Sequence, residues 1–257
     1  MMKKTGILLL LLLLTACHSH RTKNTEISRQ DRLNAINAAV NDDTRIETDR
    51  IRDSGRKPVE ILDFSGIKPG DKIVEIAPGS GYYTAILSRL VGDQGVIYGI
   101  DPARIFEVFP VARDGFKKYM QADPRNNVEY SAQNLDAIKI PNGLDQVWMI
   151  LYYHDTIWTN ENRMAMNKAF FDALKPGGIY LVVDHHALPG ADDSVTQNLH
   201  RMDASIAKSD IEAAGFVLDA ESPILANPQD PKNDSVFKPE RRGKTDRFVW
   251  RFIKPVQ

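Results

Sequence analysis

Cysteine is almost missing from this chain of 257 residues: Cys17 is the only one. A lone thiol so near the start leaves no disulfide framework to build and no thiol catalysis to look for. A surplus of either charge is missing as well, with 33 Lys and Arg against 34 Asp and Glu and a formal net charge of −1. The basic residues are interleaved with acids, as in "DRIRDSGRK" and "ERRGKTDR". That is the pattern of a solvated surface and not of a groove that tracks phosphates, so no nucleic-acid partner is expected. Long apolar runs are lacking too. The run Ile7 to Leu14 has eight residues, against the roughly 20 that a membrane-crossing helix needs, and no later segment is apolar enough to span. Apart from this leucine run there is no internal repeat and no low-complexity tract. What is there is a chain with 42% hydrophobic residues, enough for one sizeable core.

Lys3 and Lys4, the short apolar run and then "LTAC" (Leu14 to Cys17) follow the order of a targeting segment, which is excluded from the reading of the fold. "LTAC" resembles a bacterial lipobox. That resemblance implies a lipidated Cys17 as the mature N-terminus, a membrane anchor and not a span, and an exported lipoprotein on the periplasmic side of a bacterial membrane. The expected organisation is a signal at 1–17, a polar tether ("HSHRTKNTEIS") and N-terminal helical extension at 18–57, and a main domain at 58–257. Within the extension, Ser28 caps a helix over "RQDRLNAINAAV", with Leu33, Ile36 and Val40 at helical spacing. The charged "NDDTRIETDRIRDSGRK" is partly helical and is expected to pack across the front of the domain. Pro58 suits the first turn of a short helix, "PVEILDFSG".

From Lys72 onward strands and helices alternate. The strands are "KIVEIA", "GVIYGID", "NVEYSA", "LDQVWMILY", "IYLVVDH", "FVLDAES" and "RFVWRFIK". Between them run "YTAILSRLV", "RIFEVFPVARDGFKKYM" with a break at Pro110, "NENRMAMNKAFFDAL" stopped by "KPGG", and "SDIEAAGF" closed by Gly215. Alternation of this kind predicts an α/β layer sandwich with a mostly parallel sheet, and the last two strands predict a terminal antiparallel pairing.

Ligands of an open parallel sheet sit beyond the carboxyl ends of its strands, so the turn after the first strand, A-P-G-S-G-Y, is the place to look. Gly79 and Gly81 remove side chains where the backbone must bend and approach a ligand. A dinucleotide would call for G-x-G-x-x-G, and this turn lacks the first and last of those glycines. "VEIAPGSG" instead resembles the first motif of the class I S-adenosylmethionine-dependent methyltransferases, with Ala77 standing where a glycine is usual. The resemblance implies a Rossmann-like three-layer sandwich with a seven-stranded, mostly parallel sheet and a terminal antiparallel strand, and S-adenosylmethionine as cofactor. It also implies that Glu75 orients the turn and the ligand's amino-acid end, and that Gly79 and Gly81 make room. Asp101, twenty residues beyond Gly81, would receive the ribose hydroxyls, since a carboxylate offers two acceptors to two adjacent donors. "LDAIKIPNGLDQVWMIL" resembles the adenine-side loop and fourth strand, with Asp145 entering that strand. Asn134 and Asp136 are both left as the adenine contact. "ALKPGGIYLVVDH" resembles the fifth-strand block.

Methyl transfer needs a nucleophile held in line with the methyl group, water excluded, and often a proton removed. The fourth strand ends in "YYHD" and the fifth in "DHH", and "LHRMD" follows in an irregular segment. The candidate catalytic residues are therefore His154, Asp155, His185 and His200, with an imidazole oriented by a neighbouring carboxylate as the expected base. His186 is expected to be structural. The cluster Arg50, Arg52, Arg56 and Lys57 is either a solvated face or a cover for the cofactor's carboxylate or an acidic substrate. The chain as a whole resembles exported bacterial proteins known as predicted methyltransferases, through its "DRxRDxxRKP", "YHD", "DH", "HRxD" and "RGKTDRFVWRF" blocks. A small molecule or envelope component is the expected acceptor. No tight spacing such as H-x-x-x-H marks a metal site, so no metal ligand is assigned. The alternatives are a ligand-binding lipoprotein without catalysis, or a metal-assisted transferase drawing on His154, Asp155, Asp184, His185, His200 and Asp203.

Overall fold

The computed structural model describes residues 28–256. The expected leader, the Cys17 anchor and the tether up to residue 27 lie outside these described residues. Ser28 caps the first helix, α1 (Arg29–Val40), its hydroxyl accepting the Asp31 amide at 3.1 Å, and Ile36, Ala39 and Val40 form the buried face. Two single-turn helices follow, α2 (Glu47–Arg50) and α3 (Asp53–Arg56). Lys57 turns left-handed at φ 46°, and Pro58 then opens α4 (Pro58–Ser65), which Gly66 ends at φ 69°.

The alternating part begins with β1 (Lys72–Ile76), α5 (Tyr82–Val91) and β2 (Val96–Pro102). The long helical pattern after β2 is divided, because Pro110 has no N–H to donate and its ring clashes with the preceding turn. The pieces are α6 (Ile105–Val108), a 3-10 turn over Pro110–Asp114 and α7 (Gly115–Ala122). Then come β3 (Val128–Gln133), β4 (Leu144–Ile150), α8 (Asp155–Trp158), α9 (Arg163–Ala173) and β5 (Leu174–His185). The segment after β5 is less irregular than its sequence suggests: it holds α10 (Ser194–Leu199) and α11 (Ala204–Ala213). The second of these starts earlier than "SDIEAAGF" because Asp203 caps it by accepting the Ser205 amide. The last strands are β6 (Val217–Glu221) and β7 (Arg247–Ile253).

The seven strands pair in the order β3-β2-β1-β4-β5-β7-β6. β1 to β5 are parallel, and β7 runs antiparallel to both of its neighbours. Alternation along the strands divides the apolar residues between two layers. Ile73, Ile97, Trp148 and Leu181 pack with residues of α1, α4, α5 and α7. Val74, Val147, Met149 and Val182 pack with residues of α9 and α11 on the other face. The strand order reverses between β1 and β4, so the crevice for a ligand lies beyond their carboxyl ends. No helix among the described residues is long and apolar enough to cross a membrane.

The α2–α3 strap crosses the front of this crevice. Arg52 donates to Ser80 Oγ at 3.3 Å, Tyr82 donates to Asp53 at 2.6 Å, and Arg247 donates to the Gly55 carbonyl at 2.7 Å. Gly55 lies so close to Gly243 that a Cβ there would stand 2.9 Å from the Gly243 carbonyl oxygen. The strap and the segment leading into β7 therefore meet in front of the sheet.

Candidate functional site

The glycine turn adopts three left-handed residues in five: Ala77 at φ 55°, Gly79 at 58° and Gly81 at 80°. Only glycine enters this region without steric penalty, so Ala77, the residue that departs from the methyltransferase pattern, carries local strain. A Cβ on Gly79 would meet nothing nearer than 4.0 Å, so the loop backbone is bare at that point. The Gly81 backbone instead lies against α7, where a Cβ would stand 2.4 Å from the Tyr119 ring. Glu75 is buried on β1 and accepts the Thr84 hydroxyl of α5 at 2.6 Å, which ties the strand to the helix across the turn. Burial pushes its carboxyl up to about 7.

Asp101 ends β2 almost fully buried. One oxygen accepts the Gly79 amide at 3.4 Å and the other accepts the Tyr130 hydroxyl at 2.9 Å. Burial raises its pKa above the usual carboxylate range, against the pull of those two hydrogen bonds. The Tyr152 hydroxyl, at the end of β4, is buried with no hydrogen-bond partner among the described residues, and the carboxylates of Asp155, Glu161 and Asp101 all act on it. A bare glycine backbone, a carboxylate with spare acceptor capacity and an orphaned phenol are what a polar adenosyl ligand fits. Of the two adenine-side candidates, Asp136 is held by Arg104 at 2.7 Å, and the same arginine also reaches Glu161 at 2.8 Å. Asn134 precedes the 3-10 turn, exposed, and its side chain has no hydrogen bond among the described residues. Asp145 lies at the opposite end of the sheet, accepting the Lys72 amide and the Lys175 ammonium.

At the ends of β4 and β5 the structure brings together three of the four candidate catalytic residues. His154 Nε2 lies 3.2 Å from His200 Nδ1 and 3.2 Å from Asp155 Oδ1, and His200 Nδ1 lies 3.3 Å from the same Asp155 oxygen. Asp184, fully buried, holds His154 from behind: its Oδ1 meets Nδ1 at 2.8 Å and its Oδ2 accepts the His154 amide at 2.8 Å. Burial opposes a charge on His154, but Asp184 and Asp155 outweigh it and push its pKa up to about 10. Burial likewise opposes a charge on Asp155, yet the adjacent His154 holds that carboxyl well below the usual range. His185 is not part of this cluster. Its Nδ1 turns to the Thr245 hydroxyl at 2.8 Å, and burial, with His154 and Arg247 nearby, keeps it neutral. Asp203 serves as the cap of α11, and His186 packs edge-on to Phe248.

Two groups hold functional residues that were not singled out from the sequence, Arg201 and Asp230 in one and Arg247 in the other. Arg201 and Asp230, both fully shielded from solvent, form an ion pair at 2.8 Å that anchors the chain directly after His200. "HRMD" pointed to the segment, but its partner lies 29 residues away. The second group completes the basic cluster. Arg50 pairs with Glu47 on the surface and Lys57 donates to the Ile224 carbonyl. Arg52 pairs with Asp49 beside the glycine turn. Arg56 lies over the Tyr82 ring at 4.4 Å and has no carboxylate partner among the described residues. Among the described residues, Arg247 donates only to the carbonyls of Thr245, Gly55 and Gly243. Burial lowers both guanidinium pKa values, that of Arg247 to about 10, and each arginine disfavours the charge of His185.

Known proteins share this fold. A structure of an S-adenosylmethionine-dependent methyltransferase from Aquifex aeolicus superposes with a TM-score of 0.57 at 19% identity, covering 79% of this chain and 92% of that one. Aeropyrum pernix fibrillarin with natively bound S-adenosylmethionine gives 0.51 at 14% identity, covering 79% and 76%. Both show the shared fold. The ubiquinone/menaquinone biosynthesis C-methyltransferase UbiE of Teredinibacter turnerae is 31% identical over 124 residues, 48% of this chain and 46% of that protein. The chain thus spans about half the length of the curated relatives it matches. The family model of protein-L-isoaspartate(D-aspartate) O-methyltransferase matches residues 56–218, from the end of the strap to the start of β6. Matched over more than half of its length, the chain belongs to the protein-L-isoaspartate(D-aspartate) O-methyltransferase family, a class I methyltransferase fold whose cofactor is S-adenosylmethionine.

Proposed function

We propose that the protein transfers a methyl group from S-adenosylmethionine to a small molecule or envelope component that arrives with negative charge. The observation that carries the activity is the buried Asp101 carboxylate, turned on the Gly79 amide across a bare glycine turn. Bound there, the cofactor supplies an electrophilic methyl on a sulfonium. Asp101 receives the ribose hydroxyls, Asn134 is free to meet the adenine edge, and Glu75 fixes the turn through Thr84. The α2–α3 strap excludes water from the front of the crevice.

The charge of the acceptor is read from Arg56 and Arg247, two half-buried or buried guanidiniums without carboxylate partners among the described residues. For an acceptor that arrives protonated, His154 and Asp155 form the proton-handling pair.

The leader supports export and a lipid anchor at Cys17, and the balanced charge supports a partner other than nucleic acid. The test is calorimetry on the purified full-length chain with S-adenosylmethionine and S-adenosylhomocysteine. Binding that is lost in Asp101→Ala is expected; no heat and an unshifted melting temperature with either ligand would refute the activity. Arg247→Gln is expected to leave cofactor affinity intact while slowing methyl transfer. If Arg56→Gln weakens cofactor binding, that guanidinium serves the cofactor's carboxylate instead. Loss of the membrane-bound fraction in Cys17→Ala checks the anchor.

A further inference from the structure

The cluster of His154, Asp155 and His200 has the shape of a ligand set. Its three atoms, His154 Nε2, His200 Nδ1 and Asp155 Oδ1, are separated by 3.2, 3.2 and 3.3 Å, a nearly equilateral triangle. Atoms that share one ion at about 2.1 Å stand about 3.0 Å apart at right angles and about 3.4 Å apart in a tetrahedron. The observed edges fall between these limits. Hydrogen bonding alone accounts poorly for the triangle. Each proton points at one vertex only, so three edges that share their vertices cannot all be well-aligned hydrogen bonds.

The surroundings belong to the same pattern. Asp184 Oδ1 meets the other ring nitrogen of His154 at 2.8 Å, and the same carboxylate accepts the His154 amide. A carboxylate behind a histidine fixes the ring and aims its second nitrogen, as the outer shell of a metal site does. Trp158 Nε1 donates to Asp155 Oδ1 at 2.7 Å and orients that oxygen. His200 sits in the left-handed region at φ 53°, a conformation unusual for histidine and held by the buried Arg201–Asp230 pair that follows it. The side chains of Asp155 and His200 keep 12% and 15% of their surface exposed, whereas that of His154 keeps 3%. An ion there would be reached from the solvent side and would keep open positions on that side, as catalytic and not structural sites do.

We propose that His154, Asp155 and His200 bind one divalent first-row transition-metal ion. Two imidazoles and one carboxylate suit zinc, iron(II), cobalt(II) or manganese(II), and disfavour calcium and magnesium, which prefer all-oxygen sites. The site stands on these three side chains and does not depend on the cofactor assignment.

The test uses the purified full-length chain, stripped with a chelator and titrated with cobalt(II) while the visible d–d absorption is recorded. One equivalent is expected, with histidine-ligated bands and competition by zinc. His200→Gly suits the left-handed backbone and Asp155→Asn keeps the acceptor for Trp158. Each should retain the wild-type circular dichroism and lose affinity at least about 100-fold, the upper end of what losing even an outer-shell partner does. Absence of the bands in wild type, or equal binding by wild type and a folded His200→Gly, overturns the site. In the second outcome the ion is held elsewhere. Calorimetry with S-adenosylhomocysteine on the stripped protein reads the cofactor site separately, so failure of one assignment leaves the other measurable.

Discussion

Glu75 gives a pH signature that can be worked out in advance. It lies buried on β1, and burial pushes its carboxyl from the ordinary 4.5 up to about 7. Between those two values the folded protein keeps a proton that the unfolded chain has released, so stability falls as pH rises through this window. The contribution is fully retained below 4.5 and is lost above about 7. At roughly 1.4 kcal/mol per pH unit, the ionised carboxylate makes the fold about 3 kcal/mol less stable at pH 8 than a neutral group would. Glu75→Gln removes the charge and still offers an oxygen to the Thr84 hydroxyl. Urea unfolding of both proteins from pH 4 to 8 is the assay. The variant is expected to gain on wild type by about 3 kcal/mol at pH 8, with the difference shrinking toward a constant near pH 4.5. Other titrating groups are common to both proteins and cancel in the difference. A difference that does not change with pH would refute the reasoning, whatever its size.

Three further outcomes are expected from the same folding assay. Gly81→Ala forces a Cβ to within 2.4 Å of the Tyr119 ring at φ 80° and should lower stability by about 2–4 kcal/mol. Ala77→Gly relieves a left-handed alanine at φ 55° and should raise it by about 1 kcal/mol. Arg201→Met leaves Asp230 buried without its guanidinium and should cost about 3–5 kcal/mol, with the His200 signal in an NMR spectrum moving as its anchor is lost.

The order of strands and helices was legible because each element carries its own period and punctuation. Pro58, Gly66, Pro110 and Gly215 sit at element boundaries for reasons of backbone geometry that need no tertiary context. Asp101 was legible because β2 and the glycine turn are joined by a short helix that fixes their offset. His154 and Asp155 were visible as strand-end residues and His200 in the segment after the fifth strand, but the sequence did not show that His185, adjacent to Asp184, turns to Thr245 instead. Alternation along a strand sends neighbours to opposite faces, and which face holds the cluster is set by packing. Arg201–Asp230 and Arg247–Gly55 escaped because their partners are 29 and 192 residues apart. No local pattern encodes a pairing at that range.

The placement of β7 between β5 and β6 has a consequence for how the chain is made. β6 precedes β7 in the chain, yet β7 is its only neighbour in the sheet. A nascent chain that has emerged through residue 246 can pair its five parallel strands, while β6 waits with no partner. Arg247, the first residue of β7, also carries the bond to Gly55 that fastens the strap. Sheet completion thus adds to the two bonds, Arg52 to Ser80 and Tyr82 to Asp53, that already hold the strap. The last strand of the sheet thus also adds the final fastening of the strap over a site built from earlier residues.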